Sequence, residues 1–359
     1  MPTAPLADLC DRVAARVQAA LSELSETFGD VDGPLAEFVQ PARDLLSGGK
    51  RLRAQLCAAG WLAADAAEYG EPVVLAGSAL ELFQATALVH DDVIDDSLTR
   101  RGMPAAHRHF AAQHAERSWL GSPESYGQAA AIVLGDLLLG ASAMELERAR
   151  DLVPAAAARR ARDIYDVMTS QVALGQYLDI RAQDIPWGEV ERPIDDALTV
   201  IRHKSASYSV QHPLTLGAAL GGADQQVLDL LAAVGGPLGV AFQLRDDELG
   251  VFGDPGLTGK PAGDDLREGK RTVLLALALE RADDQGRARL RQVGSPHLGP
   301  TDMTELQDLI LGTGAVAAHE ELIQAYREQA LSTLDGSALP PAAVAVLGQL
   351  ADALTRRHA

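Results

Sequence analysis

The stretch LAGSALELFQATALVHDDVIDD, Leu75 to Asp96, decides the fold. Leu75, Ala79, Leu82, Phe83, Thr86 and Val89 recur at intervals of three and four residues, the period of a helix that meets a core. The run ends in His90-Asp91-Asp92-Val93-Ile94-Asp95-Asp96. Continued as a helix, it stacks Asp91 over Asp95 and Asp92 over Asp96, because residues four apart are neighbours on one face. Stacked carboxylates at the end of an apolar helix repel one another. They call for counter-charge from arginines, from water or from a hard divalent cation such as Mg²⁺.

The same period returns at Val227, Leu231, Val234, Leu238 and Phe242, and leads into a second acidic cluster, Arg245-Asp246-Asp247-Glu248. Ala and Leu dominate, alternating β-branched runs are missing, and breaks fall at Gly121–Gly127, Gln183–Pro193 and Gly253–Gly263. The expected class is all-α, with an Ala/Arg-biased helix at Ala155–Ala161 and an exposed loop region at Asp283–Asp302. No repeat and no linker divides the chain, so one domain is expected over residues 1–359.

The 359 residues carry 31 Lys plus Arg against 50 Asp plus Glu, a net charge of −19 that argues against nucleic acid as a partner. With 47% hydrophobic residues the chain has material for a large core. The N-terminus lacks a basic segment followed by an apolar one, and the most apolar internal stretch, Ala129–Met144, is interrupted by Asp136. Neither secretion nor a membrane span is expected. Cys10 and Cys57 sit in Ala/Leu-rich surroundings without metal-ligand spacing, which suits small buried thiols in a reducing cytoplasm.

Only four lysines occur, Lys50, Lys204, Lys260 and Lys270, beside 27 arginines. In an Arg-biased chain they point to positions where a compact ammonium serves better than a planar guanidinium. Lys50 lies in Gly48-Gly49-Lys50-Arg51-Leu52-Arg53, where glycines let backbone approach an anion beside three cations. This is not a P-loop, since the GxxxxGK[ST] spacing does not fit. Arg100-Arg101-Gly102 follows the first acidic cluster, and Lys260 and Lys270 follow the second in Gly259-Lys260-Pro261, Gly263-Asp264-Asp265-Leu266 and Glu268-Gly269-Lys270-Arg271-Thr272. Acid clusters with scattered cations and no nucleophile–base pair suggest a diphosphate held through Mg²⁺ and Lys/Arg. The chemistry would then be driven by electrostatics at the leaving group.

In order and spacing these segments resemble the trans-isoprenyl diphosphate (polyprenyl) synthases, within them most closely the geranylgeranyl diphosphate synthases of actinobacterial type. The resemblance spans about Leu45 to Thr272. DDxxD is matched by Asp91-Asp92-Val93-Ile94-Asp95, RRG by Arg100-Arg101-Gly102, GGKRxR by Gly48–Arg53, and the second Asp-rich segment by Phe242-Gln243-Leu244-Arg245-Asp246-Asp247. It implies the isoprenoid synthase fold, a bundle of long helices around a central cavity, and a homodimer. It implies a Mg²⁺-dependent prenyltransferase that joins isopentenyl diphosphate to dimethylallyl, geranyl or farnesyl diphosphate.

By the same resemblance Asp91, Asp92 and Asp95 bind Mg²⁺, as do Asp246 and Asp247, with about three ions per site. The allylic diphosphate lies between the two groups. Arg100, Lys204, Gln243 and Lys260 hold it, with Ser205 and Lys270 nearby, while Lys50, Arg53, Gln84 and Arg101 bind isopentenyl diphosphate. Asp91, Asp92, Lys204 and Gln243 form the implied catalytic set. Two departures stand out: Gly250 occupies the place where the pattern usually carries a third Asp, and Ala54 replaces a Pro. Gly250 is expected to weaken metal affinity at that helix without abolishing activity.

In the reaction that the resemblance implies, ionisation of the allylic C–O bond gives a carbocation that the isopentenyl double bond attacks, and the released diphosphate takes the closing proton. Product length should follow from bulk on the Leu80–Val89 helix. Thr86 and Ala87 are small and lie one turn before Asp91, while Phe83 lies about two turns before it, roughly 12 Å at 1.5 Å per residue. In the family an aromatic at the first of these turns stops growth at C15. Its absence, with Phe83 below, favours C20, geranylgeranyl diphosphate. Leu137–Ala141 is an alternative floor, and C15 or C25 and longer products stay open, as does the preferred primer. A terpene cyclase would not need Lys50, Arg53 and Arg101, and a silent partner subunit would not need intact Asp91, Asp92, Lys204 and Lys260. A di-iron bundle would need Glu and ExxH pairs, which His90 does not supply.

Overall fold

The computed structural model describes residues 4–66, 68–254, 262–295 and 297–355. Lys260 therefore lies outside the described residues, as does most of the predicted break at Gly253–Gly263. Among the described residues the regular elements are helical, as the periodicity predicts, apart from one hairpin of two-residue strands. The chain divides into two compact units, residues 1–162 with 216–224 and residues 163–215 with 225–359.

The first unit contains α1 (Ala4–Thr27), α2 (Asp32–Ser47), α3 (Leu52–Ala63), α4 (Glu71–Ile94), α5 (Ala106–Glu116) and α6 (Pro123–Asp151). Helix α4 starts with Pro72 in its first turn and Glu71 at the positive end of the helix dipole. It packs on α1, α3 and α6, and this encirclement is why its sequence is so apolar. Helix α6 begins at Pro123, where Ser122 Oγ accepts from Ser125 N at 3.3 Å. Of the predicted break at Gly121–Gly127 only the start holds. Gly127 sits inside α6, where a Cβ would lie 2.2 Å from His107 O, so this glycine serves close helix packing rather than a turn.

Helix α7 (Ala155–Asp184) begins with the expected Ala/Arg segment. The second unit continues with α8 (Pro193–Val200), a π-helical segment (Ile201–Gln211), the start of α9 (His212–Leu220), whose residues from Leu216 on belong to the first unit, and α10 (Gln225–Phe252). It ends with α11 (Asp264–Glu268), α12 (Val273–Arg281), α13 (Asp284–Leu290), α14 (Pro300–Gly312), α15 (Ala315–Leu334) and α16 (Pro341–Thr355). Helix α10 packs on the π-helical segment and on α15. The exposed loop expected at Asp283–Asp302 is corrected in part. Asp283 Oδ1 accepts from Gly286 N at 2.7 Å and caps α13, whose Leu290 enters the core.

Among the described residues three helices, α4, α6 and α10, have the length and hydropathy that a membrane span requires, Asp136 in α6 notwithstanding. In α4 the reason is burial, since 78% of its most apolar window lies inside the protein. In α6 the corresponding share is 44%, and Ile132, Val133, Leu139 and Met144 are exposed. Both cysteines are free thiols. Burial pushes Cys57 up to about 12 and, with the nearby Glu81, Cys10 up to about 11, so neither is a ready thiolate.

Candidate active site

In the first unit the acidic ladder is shorter than a continuous helix would make it. Helix α4 ends at Ile94, Asp95 caps it with its N–H on Asp91 O at 2.8 Å, and Asp96 turns into the left-handed region at φ 52°. Asp91 and Asp95 thus keep adjacent places, whereas the expected stacking of Asp92 with Asp96 fails. Asp96 instead pairs with Arg108 at 2.7 Å. Asp92 is buried and accepts from Arg100, through Nε at 2.9 Å and through Nη2. Arg100 Nη2 also lies 3.9 Å from Asp91.

Arg100 occupies a hairpin, Thr99–Arg100 paired with Met103–Pro104. Its two central residues, Arg101 and Gly102, both have positive φ, 53° and 75°, as in the tight turn that matches strand twist. The turn directs the two arginines to different partners. Arg100 goes to the acids of α4, and Arg101 Nη1 donates to Leu45 O at 2.6 Å and Gly48 O at 3.1 Å. A Cβ on Gly49 would lie 3.0 Å from that guanidinium, so Gly49 is what admits it.

The cations of the Gly48–Arg53 segment divide their work in the same way. Lys50 is exposed and Arg53 is buried in the first turn of α3. Arg51, at φ 50°, turns inward to Glu81 at 3.1 Å and to Leu46 O, and both members of this pair are almost fully buried. Burial lowers the Arg101 pKa, and Arg51, Arg53 and Arg100 lower it further against the opposing Glu81. Four guanidiniums gathered this way favour an anion. Gln84 is half-buried on α4, as is Ala87, while Phe83 and Thr86 are buried, Thr86 donating to Gly135 O at 3.2 Å. His90 is a packing residue. Its ring nitrogen meets Ile132 O at 3.1 Å, and a Cβ on Gly135 would lie 2.1 Å from it.

In the second unit Lys204 and Ser205 lie on the π-helical segment, a rare geometry that the three-and-four residue pattern did not signal. Glycines on the neighbouring helices make room for its wider backbone. A Cβ on Gly175 would lie 2.2 Å from Lys204 N, and one on Gly239 2.4 Å from Ala206 O. Lys204 Nζ is held by Asp179 at 2.5 Å. Below it, Gln171 joins His212 at 2.8 Å, Ser207 at 3.1 Å and His203 at 3.2 Å.

Burial pushes His212 from 6.5 down to about 4. The unfolded chain therefore binds the proton first, and between about pH 6.5 and 4 stability is lost as pH falls, by about 3 kcal/mol over the whole window. Urea unfolding measured across this range should show the slope, and His212→Asn should flatten it. An unchanged slope would remove His212 as its source.

On α10, Gln243 Nε2 donates to Asp247 Oδ1 at 2.7 Å, while Asp246 faces solvent. Arg245 turns the other way, to Glu248 at 2.7 Å, Thr355 O at 3.1 Å and Glu320, bracing the acids against α15 and α16. Asp247 is only 8% exposed. Burial first, then Asp265 and Asp246, hold its carboxyl well above the usual range, against the opposing Gln243 and Lys270. A group that resists ionisation beside like charges is a group that a cation relieves. Lys270 reaches Glu268 at 2.7 Å and Asp265 at 3.3 Å.

The donor set of both acidic groups is all oxygen. Among the described residues no three Asp, Glu, His or Cys side chains close into a metal cage. An all-oxygen donor set fits Mg²⁺, which keeps several waters and takes further oxygens from phosphate, and it does not fit a structural zinc. An apolar cavity of about 100 Å³ in the second unit is lined by Trp187, Pro193, Ala197, Arg271 and Ala276, and by none of the predicted site residues.

Comparison with known proteins agrees with this chemistry. The family described as Polyprenyl synthetase matches residues 36–309. The chain is 30% identical over 316 residues to the geranylfarnesyl diphosphate synthase of Aeropyrum pernix, covering 85% of this chain and 91% of that one. It is 29% identical to the geranylgeranyl diphosphate synthase of Sulfolobus acidocaldarius over 80% of its own length and 81% of that protein. Among solved structures, geranylgeranyl pyrophosphate synthase from Corynebacterium glutamicum, complexed with isoprenyl diphosphate and magnesium, superposes with a TM-score of 0.91. The identity is 39%, over 98% of this chain and 99% of that one.

Proposed function

From the premise that the chain belongs to the polyprenyl synthetase family and is a prenyltransferase, we propose that it condenses isopentenyl diphosphate with an allylic diphosphate to geranylgeranyl diphosphate. The length assignment is supported by the order of side chains on α4, where the small Thr86 and Ala87 stand about one turn before Asp91 and the buried Phe83 about two turns before it, and in this reading Phe83 is the floor of the tail site.

In this reading Asp91, Asp92 and Asp95, and separately Asp246 and Asp247, hold Mg²⁺, three ions in all. When bound, the ions neutralise charge that builds on the departing diphosphate. The chain's own groups do the rest. Arg100, Lys204, Gln243, Lys260 and Lys270 orient the allylic diphosphate so that its C–O bond ionises without a protein nucleophile, and Ser205 adds a hydroxyl beside it. Lys50, Arg53, Gln84 and Arg101 hold isopentenyl diphosphate with its double bond toward the allylic carbon, and the apolar face of α4 keeps water from the cation. The freed diphosphate accepts the final proton.

A homodimer belongs to the proposal, supported by the exposed Ile132, Val133, Leu139 and Met144 of α6. So do a single functional domain over residues 1–359 and a cytoplasmic location.

Chromatography of products from purified protein, Mg²⁺, isopentenyl diphosphate and each allylic primer in turn, with and without EDTA, tests the reading. A C20 diphosphate that disappears with EDTA is expected. Hydrocarbon from the allylic substrate alone would favour a cyclase, and no product a silent subunit. In the same assay Phe83→Ala should move most product beyond C20. An unchanged product would shift the floor to another helix.

A further inference from the structure

The cavity of about 100 Å³ in the second unit contains no group that the proposed reaction uses. Its walls come from Leu178 near the end of α7, from Ile185 and Trp187 just beyond it, from Ala197 and Val200 around α8, and from Arg271. A cavity of about 150 Å³ with an aliphatic and aromatic lining stays dry and takes benzene, so this one has room for an apolar body of about four carbons.

Arg271 is the exception in that wall. It is half-buried, and its guanidinium carbon lies 3.5 Å from the centre of the Trp187 ring. Nη2 donates to Ile185 O at 2.9 Å and to Gln183 O at 3.2 Å, carbonyls at the end of α7. Nη1 is buried and has no hydrogen-bond partner among the described residues. Nor does a carboxylate offset the charge, since burial alone acts on this group and lowers its pKa. Arg181 and Asp196 also line the cavity, but both are exposed and their charges are opposite. A desolvated guanidinium that lacks an acid is a charge for an anion to answer.

We propose that this cavity is a binding site for a small amphiphilic carboxylate, with a branched apolar body of about four carbons inside it and the carboxylate on Arg271. A neutral ligand would leave the charge unanswered. A diphosphate would find one half-buried cation here, where the active site gathers several. Arg271 directly follows Lys270, so the site borders the segment that the proposed function gives to the allylic diphosphate, but binding in the cavity does not depend on that reading.

Ligand-observed NMR titration of the full chain with isovalerate, and with isoamyl alcohol as its neutral counterpart, tests the assignment. Wild type should bind the carboxylate about tenfold more tightly than the alcohol, the scale of a hydrogen bond to a charged group. Arg271→Gln should remove that preference. Ala182 on α7 also lines the cavity, so Ala182→Leu fills it and should lose both probes. If Arg271→Gln fails to fold, the wild-type preference and Ala182→Leu decide. Equal binding of the two probes by wild type, binding of neither, or isovalerate binding that survives Ala182→Leu unchanged overturns the proposal.

Discussion

Asp91→Ala is expected to lower kcat by about 10³-fold or more, equivalent to about 4 kcal/mol of lost transition-state stabilisation. Its backbone carbonyl, which accepts from Asp95 N at 2.8 Å, survives the substitution, while its side chain gives up an ion pair with Arg100 at 3.9 Å. Asp92 is the poorer probe. Its carboxylate, 2% exposed, accepts from Arg100, so Asp92→Ala would leave a guanidinium without its acceptor and blur catalysis with folding. The expected signature of Asp91→Ala is lost turnover, with a smaller fall in melting temperature than Asp92→Ala produces. Activity near wild type would end the assignment of this acid to the metal.

Gly175→Ala should destabilise the protein by about 3 kcal/mol or more, at the upper end of what overpacking costs. The added carbon would meet backbone, Lys204 N at 2.2 Å and His203 C at 2.5 Å, and backbone cannot rotate away as a flexible side chain can. Either α7 or the π-helical segment must shift, and the 2.5 Å pair of Lys204 with Asp179 shifts with it. Urea unfolding should thus report lost stability, and steady-state kinetics a raised KM for the allylic substrate. Gly312→Ala is the control, since nothing lies within 4 Å of a Cβ there. Equal tolerance of both substitutions would show that the close approach at Gly175 carries no energetic weight.

The helices and the class of chemistry were legible in the chain because each depends on neighbours in sequence. The three-and-four residue period from Leu75 to Val89 makes a helix wherever a core exists to cover it. Carboxylates at its end need a cation in any fold. The segments Gly48–Arg53, Arg100–Gly102 and Phe242–Asp247 suggest phosphate and metal by their composition, and their order carries the resemblance from which the separate roles were expected. Lys260, which lies outside the described residues, has only that support.

Tertiary structure decided which member of each motif does what. Arg51 stands in one basic segment with Lys50 and Arg53, and packing commits it to Glu81, a residue 30 positions away. Arg100 and Arg101 are adjacent, and a turn with two positive φ values sends them to different partners. The π-helical segment under Lys204 exists because glycines on α7 and α10 let backbones meet, and no local pattern encodes that. Periodicity and charge order are properties of the chain. The pairing of a charge with its partner belongs to the packing, where burial makes each unpaired group costly enough to choose one neighbour.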